Sequence, residues 1–291
     1  MSKRNRKPQN GKPKNVAVSS PKDLVSIIIP VYGRFDLLAQ CLTAIPEAAG
    51  DLPYNIVLVD NNSPEKNVAD DFYQSIQSNM PNTFVIRNKE NMGFPYAINQ
   101  GAKRKFSPLL FFLNSDVILR KDAIVNLVKA IDDPKIGVVG AKLLFPDNAG
   151  GLKQDTAVRP PGKVQHVGLC TNIRGDFYHV FIGWSADHPK VMKVWEVYAV
   201  TGAAMMTRRK LFDQIGGFNL SYGFGTYEDV DYCMSVRELG YNVIIEQSAV
   251  GTHYTGATAE QYKINYALDQ NRLIFMSRWA KNLNWTEMNH L

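Results

Sequence analysis

The chain has 291 residues, 45% of them hydrophobic and 21% charged, a profile that fills a sizeable core and excludes disorder throughout. At roughly 100–200 residues per domain it holds one large domain or two intimate ones, not a string of modules. The formal charge of +6 sits in an arm: Lys3, Arg4, Arg6, Lys7, Lys12 and Lys14 occur with no acid before residue 21, so residues 21–291 balance 27 basic against 27 acidic side chains.

Residues 1–22, rich in Lys, Arg, Asn, Pro and Gly, are expected to be a disordered basic tail, because such a composition buries too little apolar surface to order itself. The tail lacks the apolar segment of a signal peptide, and no run of 18 or more apolar residues exists to span a bilayer. A cytoplasmic protein is expected, at most peripheral at the inner face of the membrane. Cys41, Cys170 and Cys233 are odd in number and far apart, which suggests core thiols and neither a disulfide framework nor a zinc site.

From Leu24 short β-branched runs alternate with segments of period 3.6. Val25 to Pro30 reads as a buried strand, and Leu38, Cys41, Leu42 and Ile45 mark the helix after it. A strand over Ile56 to Val59, a helix over about 65–78, a strand over Phe84 to Ile86, a helix over about 94–105 and a strand over Leu109 to Leu113 follow. Ile124, Leu127, Val128 and Ile131 mark a further helix, which leads into a strand over Gly137 to Gly140. Four strands with helical crossovers predict an α/β fold with a mixed, mainly parallel Rossmann-like sheet covered by helices on both faces. Later come an acidic helix start at Glu228 with Thr226 as its N-cap, a strand over Val243 to Ile245, a short run Ala249 to Gly251, and a closing helix over about 259–279.

Ligands of open α/β sheets bind beyond the carboxyl ends of strands. Those positions are polar here: Asp60, Asn61, Asn62 and Ser63 after the second strand, Asn88, Asn91 and Gly93 after the third, and Asn114, Ser115 and Asp116 after the fourth. Each cluster alone is ordinary turn chemistry; three on one sheet edge point to a nucleotide site. Val31-Tyr32-Gly33-Arg34 supplies neither a GxGxxG fingerprint nor a Walker A loop, which argues against a dinucleotide oxidoreductase. Gly216 and Gly217 read as a helix C-cap after Leu211, Phe212 and Ile215.

The sequence Val25-Ser26-Ile27-Ile28-Ile29-Pro30-Val31-Tyr32, followed by Val59-Asp60-Asn61-Asn62-Ser63, Asn91-Met92-Gly93-Phe94 and Leu113-Asn114-Ser115-Asp116, resembles a family 2 glycosyltransferase of the GT-A fold. The likeness continues through Val200-Thr201-Gly202-Ala203, Gly216-Gly217-Phe218, Tyr227-Glu228-Asp229-Val230-Asp231 and His253. Gln165-His166-Val167-Gly168, His179 and Gly183 are similar to the bacterial branch that builds surface polysaccharides, including rhamnosyltransferase-like members.

The resemblance implies an inverting, metal-assisted transfer of a hexosyl or deoxyhexosyl unit from a nucleoside-diphosphate sugar donor to a hydroxyl of a glycan or lipid-linked glycan acceptor. Asp116 closes the family's DxD motif and, with His253, would hold Mn²⁺ or Mg²⁺, whose hard-ligand preference suits the pair. The first DxD position is Asn114, so one carboxylate fewer is available. Asp229 would take the acceptor proton, with Glu228 and Asp231 orienting the loop or acceptor. Pro30, Tyr32, Asp60, Asn91, Gly93, Asn114, Ser115 and Gly202 would contact the nucleotide sugar, and Trp184, Trp195, Tyr222 and Tyr227 are either acceptor-stacking rings or core. The nucleotide-sugar half is expected over 23–120, the acceptor and catalytic half over 121–257, and a C-terminal helical segment with a packing role over 258–291.

A sugar nucleotidyltransferase would need a GxGxR loop that Tyr32-Gly33-Arg34-Phe35 does not supply, and a non-catalytic relative would lack the acids present here. The basic tail reads first as a solvated terminus, second as a contact to a membrane surface and third as a grip on a nucleic-acid acceptor.

Overall fold

The computed structural model describes residues 23–147, 159–172 and 176–283. The basic tail expected over 1–22, and residues 284–291 of the expected C-terminal segment, lie outside the described residues. In chain order the elements are β1 (Val25–Val31), α1 (Phe35–Ala49), β2 (Tyr54–Asp60), α2 (Lys66–Asn79), β3 (Thr83–Arg87), α3 (Phe94–Ala102), β4 (Leu109–Leu113), β5 (Val117–Leu119), α4 (Ala123–Ile131), β6 (Ile136–Leu144), β7 (Val164–His166), β8 (Leu169–Thr171), β9 (Phe177–His179) and β10 (Trp195–Glu196). They continue with β11 (Ala204–Arg208), α5 (Arg209–Ile215), α6 (Glu228–Glu238), β12 (Asn242–His253), α7 (Ala257–Tyr262) and α8 (Leu268–Trp279).

The central sheet runs β3-β2-β1-β4-β11-β6-β12-β10, with β5 against β12 and β7 against β6, and β8 and β9 form a separate hairpin. Strand β1 is parallel to β2 and β4. Strand β11 runs against both β4 and β6, so β6 runs with β4, and β12 runs with β6. The carboxyl ends of β1, β2, β4 and β12 and the amino end of β11 therefore share one edge. That edge collects residues more than 200 positions apart in sequence.

The continuous apolar run of β1 is explained by burial on both faces. Val25, Ile27, Ile29 and Val31 pack with Leu38 of α1 and Ile124 of α4, whereas Ile28 packs on the other face with Ala97 and Ile98 of α3 and Phe212 of α5. Each such side chain contributes roughly 1.5–3 kcal/mol on burial, and a slip of one residue would exchange the two sets. This is the α/β architecture that the alternation of elements predicts. Among the described residues, no helix is long and apolar enough to cross a membrane.

Three stretches depart from the sequence reading. The two short runs near residue 250 are one strand, β12, whose pairing with β6 slips between Glu246 and Val250; the irregular, polar Gln247-Ser248 stretch disguises its continuity. Strand β6 continues past Gly140 through Lys142, which is 4% exposed and sends its ammonium to the Ala186 carbonyl. The expected closing helix is broken: Lys263 ends α7 in the left-handed conformation (φ 53°), and residues 264–267 return the chain to α8.

Candidate active site

Three cavities lie in a row along the shared edge. The first, about 320 Å³, is walled by Pro30, Tyr32, Asn91, Gly93, Ser115, Asp116 and His253 among others. The second, about 210 Å³, shares Asn114, Phe94, Phe224 and Tyr266 with it and adds Gly202 and Glu228. The third, about 260 Å³, shares Thr201, Thr226 and Asp229 with the second. Asn114 thus stands between the first two and Asp229 between the last two. Of the catalytic, metal and nucleotide-sugar residues expected from sequence, Asp60 and Asp231 line none of the three, and of the expected stacking rings Tyr227 alone lines one.

Asp60 lies beneath the wall, fully buried. Its Oδ1 accepts the Ser63 N–H at 2.8 Å and the Ser63 hydroxyl at 2.7 Å, and its Oδ2 faces Arg87 Nε at 3.3 Å. A carboxylate satisfied in this way holds the turn, so the cavity wall falls to the next residue, Asn61. Asn61 donates to the Gly93 carbonyl at 3.1 Å and accepts from Asn88, which in turn accepts from Gln100. The Asn-rich strand ends form a single hydrogen-bond chain that fixes the loop carrying Asn91 and Gly93.

Gly93 is required by its surroundings. Its φ is 86°, and a Cβ there would lie 2.2 Å from the Gly223 carbonyl oxygen. This close approach lets the Phe94 N–H reach the Phe224 carbonyl at 3.1 Å, tying the loop that carries Asn91 and Gly93 to the loop before α6. Gly202 likewise leaves room for Phe94 and the Asp229 Cβ, which a methyl group would meet at 3.1 and 3.5 Å.

The donor chemistry at Asp116 and His253 fits a divalent cation. Their Oδ1 and Nε2 are 3.3 Å apart, and Asn114 lies 3.4 Å from the same nitrogen. His253 Nδ1 meets Gln165 Oε1 at 2.8 Å and Thr255 Oγ1 at 3.1 Å, which directs the Nε2 lone pair to Asp116. Such an outer partner is what orients a metal-bound imidazole. Such an ion would take Asp116 and His253 as its protein ligands. No group of three or more His, Cys, Asp or Glu side chains that could hold a metal ion is found among the described residues.

The three acids that open α6 do different work. Asp229 Oδ2 accepts the Gly202 N–H at 2.9 Å and Oδ1 the Val230 N–H at 2.8 Å. Burial pushes its carboxyl above the ordinary range while these N–H groups pull it back. Glu228 is pushed well above, first by burial and then by the Asp229 charge, and its Oε2 has no hydrogen-bond partner. Of the two adjacent carboxyls Glu228 is the more buried and is raised further, while Asp229 faces two cavities. Asp231 turns away from both. It is 3% exposed and accepts from Tyr222 at 3.1 Å, Trp279 Nε1 at 2.7 Å and Arg278 at 2.6 Å. It pins α6 to α8 and lines none of the three cavities.

Asp231→Ala is therefore expected to destabilise the fold by about 2–4 kcal/mol, because it strands two buried donors and a cation at once. Thermal melting checks this. A melting temperature equal to that of the wild type would show that the three contacts contribute nothing.

The turn into α6 is strained, with Thr226 and Tyr227 both left-handed at φ 77° and 70°. Tyr227 occupies the N-cap position without a side-chain cap, so Thr226 is not the cap. Asn271 of α8 holds the turn instead, its amide within 2.8–3.2 Å of the carbonyls of Tyr222, Gly225 and Thr226. Tyr222 is 1% exposed and belongs to the core. Tyr227 packs against Phe177 and Phe275 while lining the third cavity, Trp195 donates to the Lys190 carbonyl on the sheet edge, and Trp184 packs against Phe181 and His188. Sequence reasoning missed Phe224 and Tyr266 as wall residues, and Gln165 and Asn271 as supports.

Behind the Thr201–Gly202 backbone lies a histidine pair. The Thr201 N–H donates to His166 Nε2 at 3.2 Å, and His166 Nδ1 meets His179 Nδ1 at 2.9 Å. His166 therefore carries its proton on Nδ1, His179 accepts it, and the His179 proton sits on Nε2. Burial keeps both imidazoles neutral, lowering His179 to about 4 and His166 well below 6.5. The unfolded chain binds a proton at His179 near pH 6.5 and the folded chain does not until about pH 4. Stability from His179 is thus complete above pH 6.5 and lost as pH falls between those values, on the order of 3 kcal/mol. The pH dependence of melting between 7 and 4 should be shallower in His179→Gln than in the wild type; identical slopes would contradict a neutral pair.

The family model of glycosyl transferase family 2 matches residues 26–216. The O-antigen biosynthesis protein RfbC of Myxococcus xanthus is 26% identical over 242 residues, 80% of this chain and 17% of its own length. An uncharacterised protein of Sinorhizobium fredii, y4gI, is 27% identical over 240 residues, 81% of this chain and 25% of its own. The chain therefore spans a quarter or less of these relatives. The crystal structure of GalNAc-T7 with UDP, GalNAc and Mn²⁺ superposes with a TM-score of 0.67 at 13% identity, covering 90% of this chain and 48% of that one. The α/β fold of this chain is that of the GT-A glycosyltransferases.

Proposed function

The chain belongs to glycosyl transferase family 2, and on that premise we propose that it transfers a sugar, with inversion, from a nucleoside-diphosphate sugar to an acceptor hydroxyl. The observation that carries this reading is the order of the three cavities: a cation-fitting pair in the first, Asn114 between the first and second, and Asp229 between the second and third. The nucleotide diphosphate fits the first cavity, the donor sugar the second, and the acceptor the third.

In the transfer, the acceptor oxygen forms a bond to the anomeric carbon as the bond from that carbon to the diphosphate oxygen breaks. The diphosphate leaves with the electron pair, and the acceptor proton passes to Asp229. A Mn²⁺ or Mg²⁺ ion held by Asp116 and His253 supplies Lewis-acid neutralisation of the leaving group when bound. Asp229 is suited to its part because burial raises its basicity while two backbone N–H groups hold its orientation. Neutral Glu228 spares it a second charge and offers a proton to a donor-sugar oxygen. Gly202 and Gly93 let the backbone close around the sugar.

The named role of RfbC in O-antigen biosynthesis supports a surface polysaccharide or glycoconjugate as the product and a glycan or lipid-linked glycan as the acceptor, on the cytoplasmic side. Residues 23–120 supply the nucleotide-sugar half and 121–257 the acceptor and catalytic half in this reading.

A screen of UDP-, dTDP- and GDP-sugars with Mn²⁺, measuring nucleotide release, tests the proposal. One donor class should be hydrolysed slowly without acceptor. Absence of both binding and hydrolysis across the three classes would overturn it.

Gly93→Ala should lower that release by at least about tenfold, because the added methyl meets the Gly223 carbonyl at 2.2 Å and the loops must part. Unchanged release in a folded variant would show that the contact between the loops is dispensable.

A further inference from the structure

We propose that the third cavity admits an uncharged sugar as the acceptor and that the Nε2–H of His179 positions it. This rests on the glycosyltransferase reading and specifies what it leaves open.

The cavity is bounded by the β8–β9 hairpin on one side and by the start of α6 and α8 on the other. Phe177 and Tyr227 form an aromatic wall, their rings 5.9 Å apart and both braced by Phe275. Leu268 and Val230 add apolar surface, and the polar groups converge between these walls. Apolar, aromatic walls with a few fixed polar groups suit a pyranose, which presents C–H faces and hydroxyl edges.

Charge narrows the choice. Asp176, Asp229 and Asp269 line the cavity, and its only cation among the described residues is Arg272, which already faces Asp176 at 3.5 Å. The imidazole of His179 adds no charge. A phosphate or uronate brought here would meet an excess of carboxylate, so the site repels anionic acceptors and admits neutral hydroxyls. A lipid diphosphate or a nucleic-acid backbone would have to stay outside it.

His179 completes the site. With its Nδ1 engaged by His166 and the tautomer fixed from the Thr201 N–H outward, the remaining Nε2–H has no partner among the described residues, while the residue lines the cavity. The same Thr201–Gly202 backbone that sets this tautomer also holds Asp229 through the Gly202 N–H. Base and donor are thereby fixed against one another.

The experiment uses the full chain with Mn²⁺ and the donor found by the screen. The probes are p-nitrophenyl glycosides of neutral hexoses and deoxyhexoses, set against p-nitrophenyl glucuronide and glycerol 3-phosphate. Neutral glycosides should raise nucleotide release above hydrolysis, and the anionic probes should not. His179→Ala should raise the acceptor KM roughly tenfold with the donor KM unchanged, and His179→Gln, which keeps an N–H at the same reach, should return it to within about threefold. Should His179→Ala fail to fold, Leu268→Trp at the exposed rim should raise the acceptor KM alone. Preference for the anionic probes, or donor and acceptor KM rising together, would overturn the assignment. Donor hydrolysis that no neutral glycoside accelerates would overturn this subsite alone, whereas a wild type that neither binds nor hydrolyses any donor would overturn the glycosyltransferase reading beneath it.

Discussion

Asp229→Asn should lower kcat by about 10²–10⁴ while nucleotide affinity stays within a few-fold and the variant remains folded. Asn is close to isosteric with Asp, and its side-chain oxygen still accepts the Gly202 N–H, while the Val230 N–H loses its side-chain acceptor. What is lost is the proton acceptor. The wild-type rate should rise with pH on its acid limb, with a midpoint above the ordinary carboxylate range, because burial raises the Asp229 carboxyl; in Asp229→Asn that limb should vanish. Glu228→Gln should cost less, since burial raises the Glu228 carboxyl furthest toward its neutral form and Gln keeps a donor. Near-full turnover in Asp229→Asn with a dead Glu228→Gln would move the base to the other carboxyl.

Asp116→Asn should act on binding as well as turnover. Removing the carboxylate leaves His253 Nε2 as the one strong donor of the pair, so Mn²⁺-dependent nucleotide affinity should fall by about 10–100-fold, along with the rate. Calorimetric titration of the nucleotide with and without Mn²⁺ separates this from a loss of fold. EDTA should abolish wild-type turnover, and Mn²⁺ or Mg²⁺ should restore it. Gln165→Leu, which strips the outer partner from His253 Nδ1, should weaken the Mn²⁺ response while sparing metal-free nucleotide binding. Full turnover of wild type in a demonstrably metal-free preparation would contradict the assignment of Asp116 and His253.

The first half of the fold was legible because strands such as Val25–Val31 and Leu109–Leu113 are buried on both faces and so read as unbroken apolar runs bounded by polar turns. Strand β12 was not, because the slip at Glu246 to Val250 admits Gln247 and Ser248 into a strand. The expected wall residues at the ends of β1 and β4 do lie at one cavity, since parallel strands bring their carboxyl ends together. Asp229 and Asp231 could have been told apart from spacing alone: residues two apart on a helix face nearly opposite sides, so both cannot face the same substrate. The roles of Asn271, Tyr266 and Gln165 carry no local signature. They depend on α8, the 263–267 turn and β7 being brought to the edge by contacts tens to hundreds of residues distant in sequence. Asp60 shows the converse: a motif position can be spent on Ser63 and Arg87, which only the structure reveals.

In the proposed transfer, displacement at the anomeric carbon is direct, and Asp229 draws the proton from the side opposite the leaving diphosphate. It is tested most directly without knowledge of the acceptor, by following donor hydrolysis with ¹H NMR and reading which anomer of the released sugar forms first, before mutarotation. An α-linked nucleotide sugar should release the β-anomer first. Release of the α-anomer first would contradict a single displacement and, with it, Asp229 as the base.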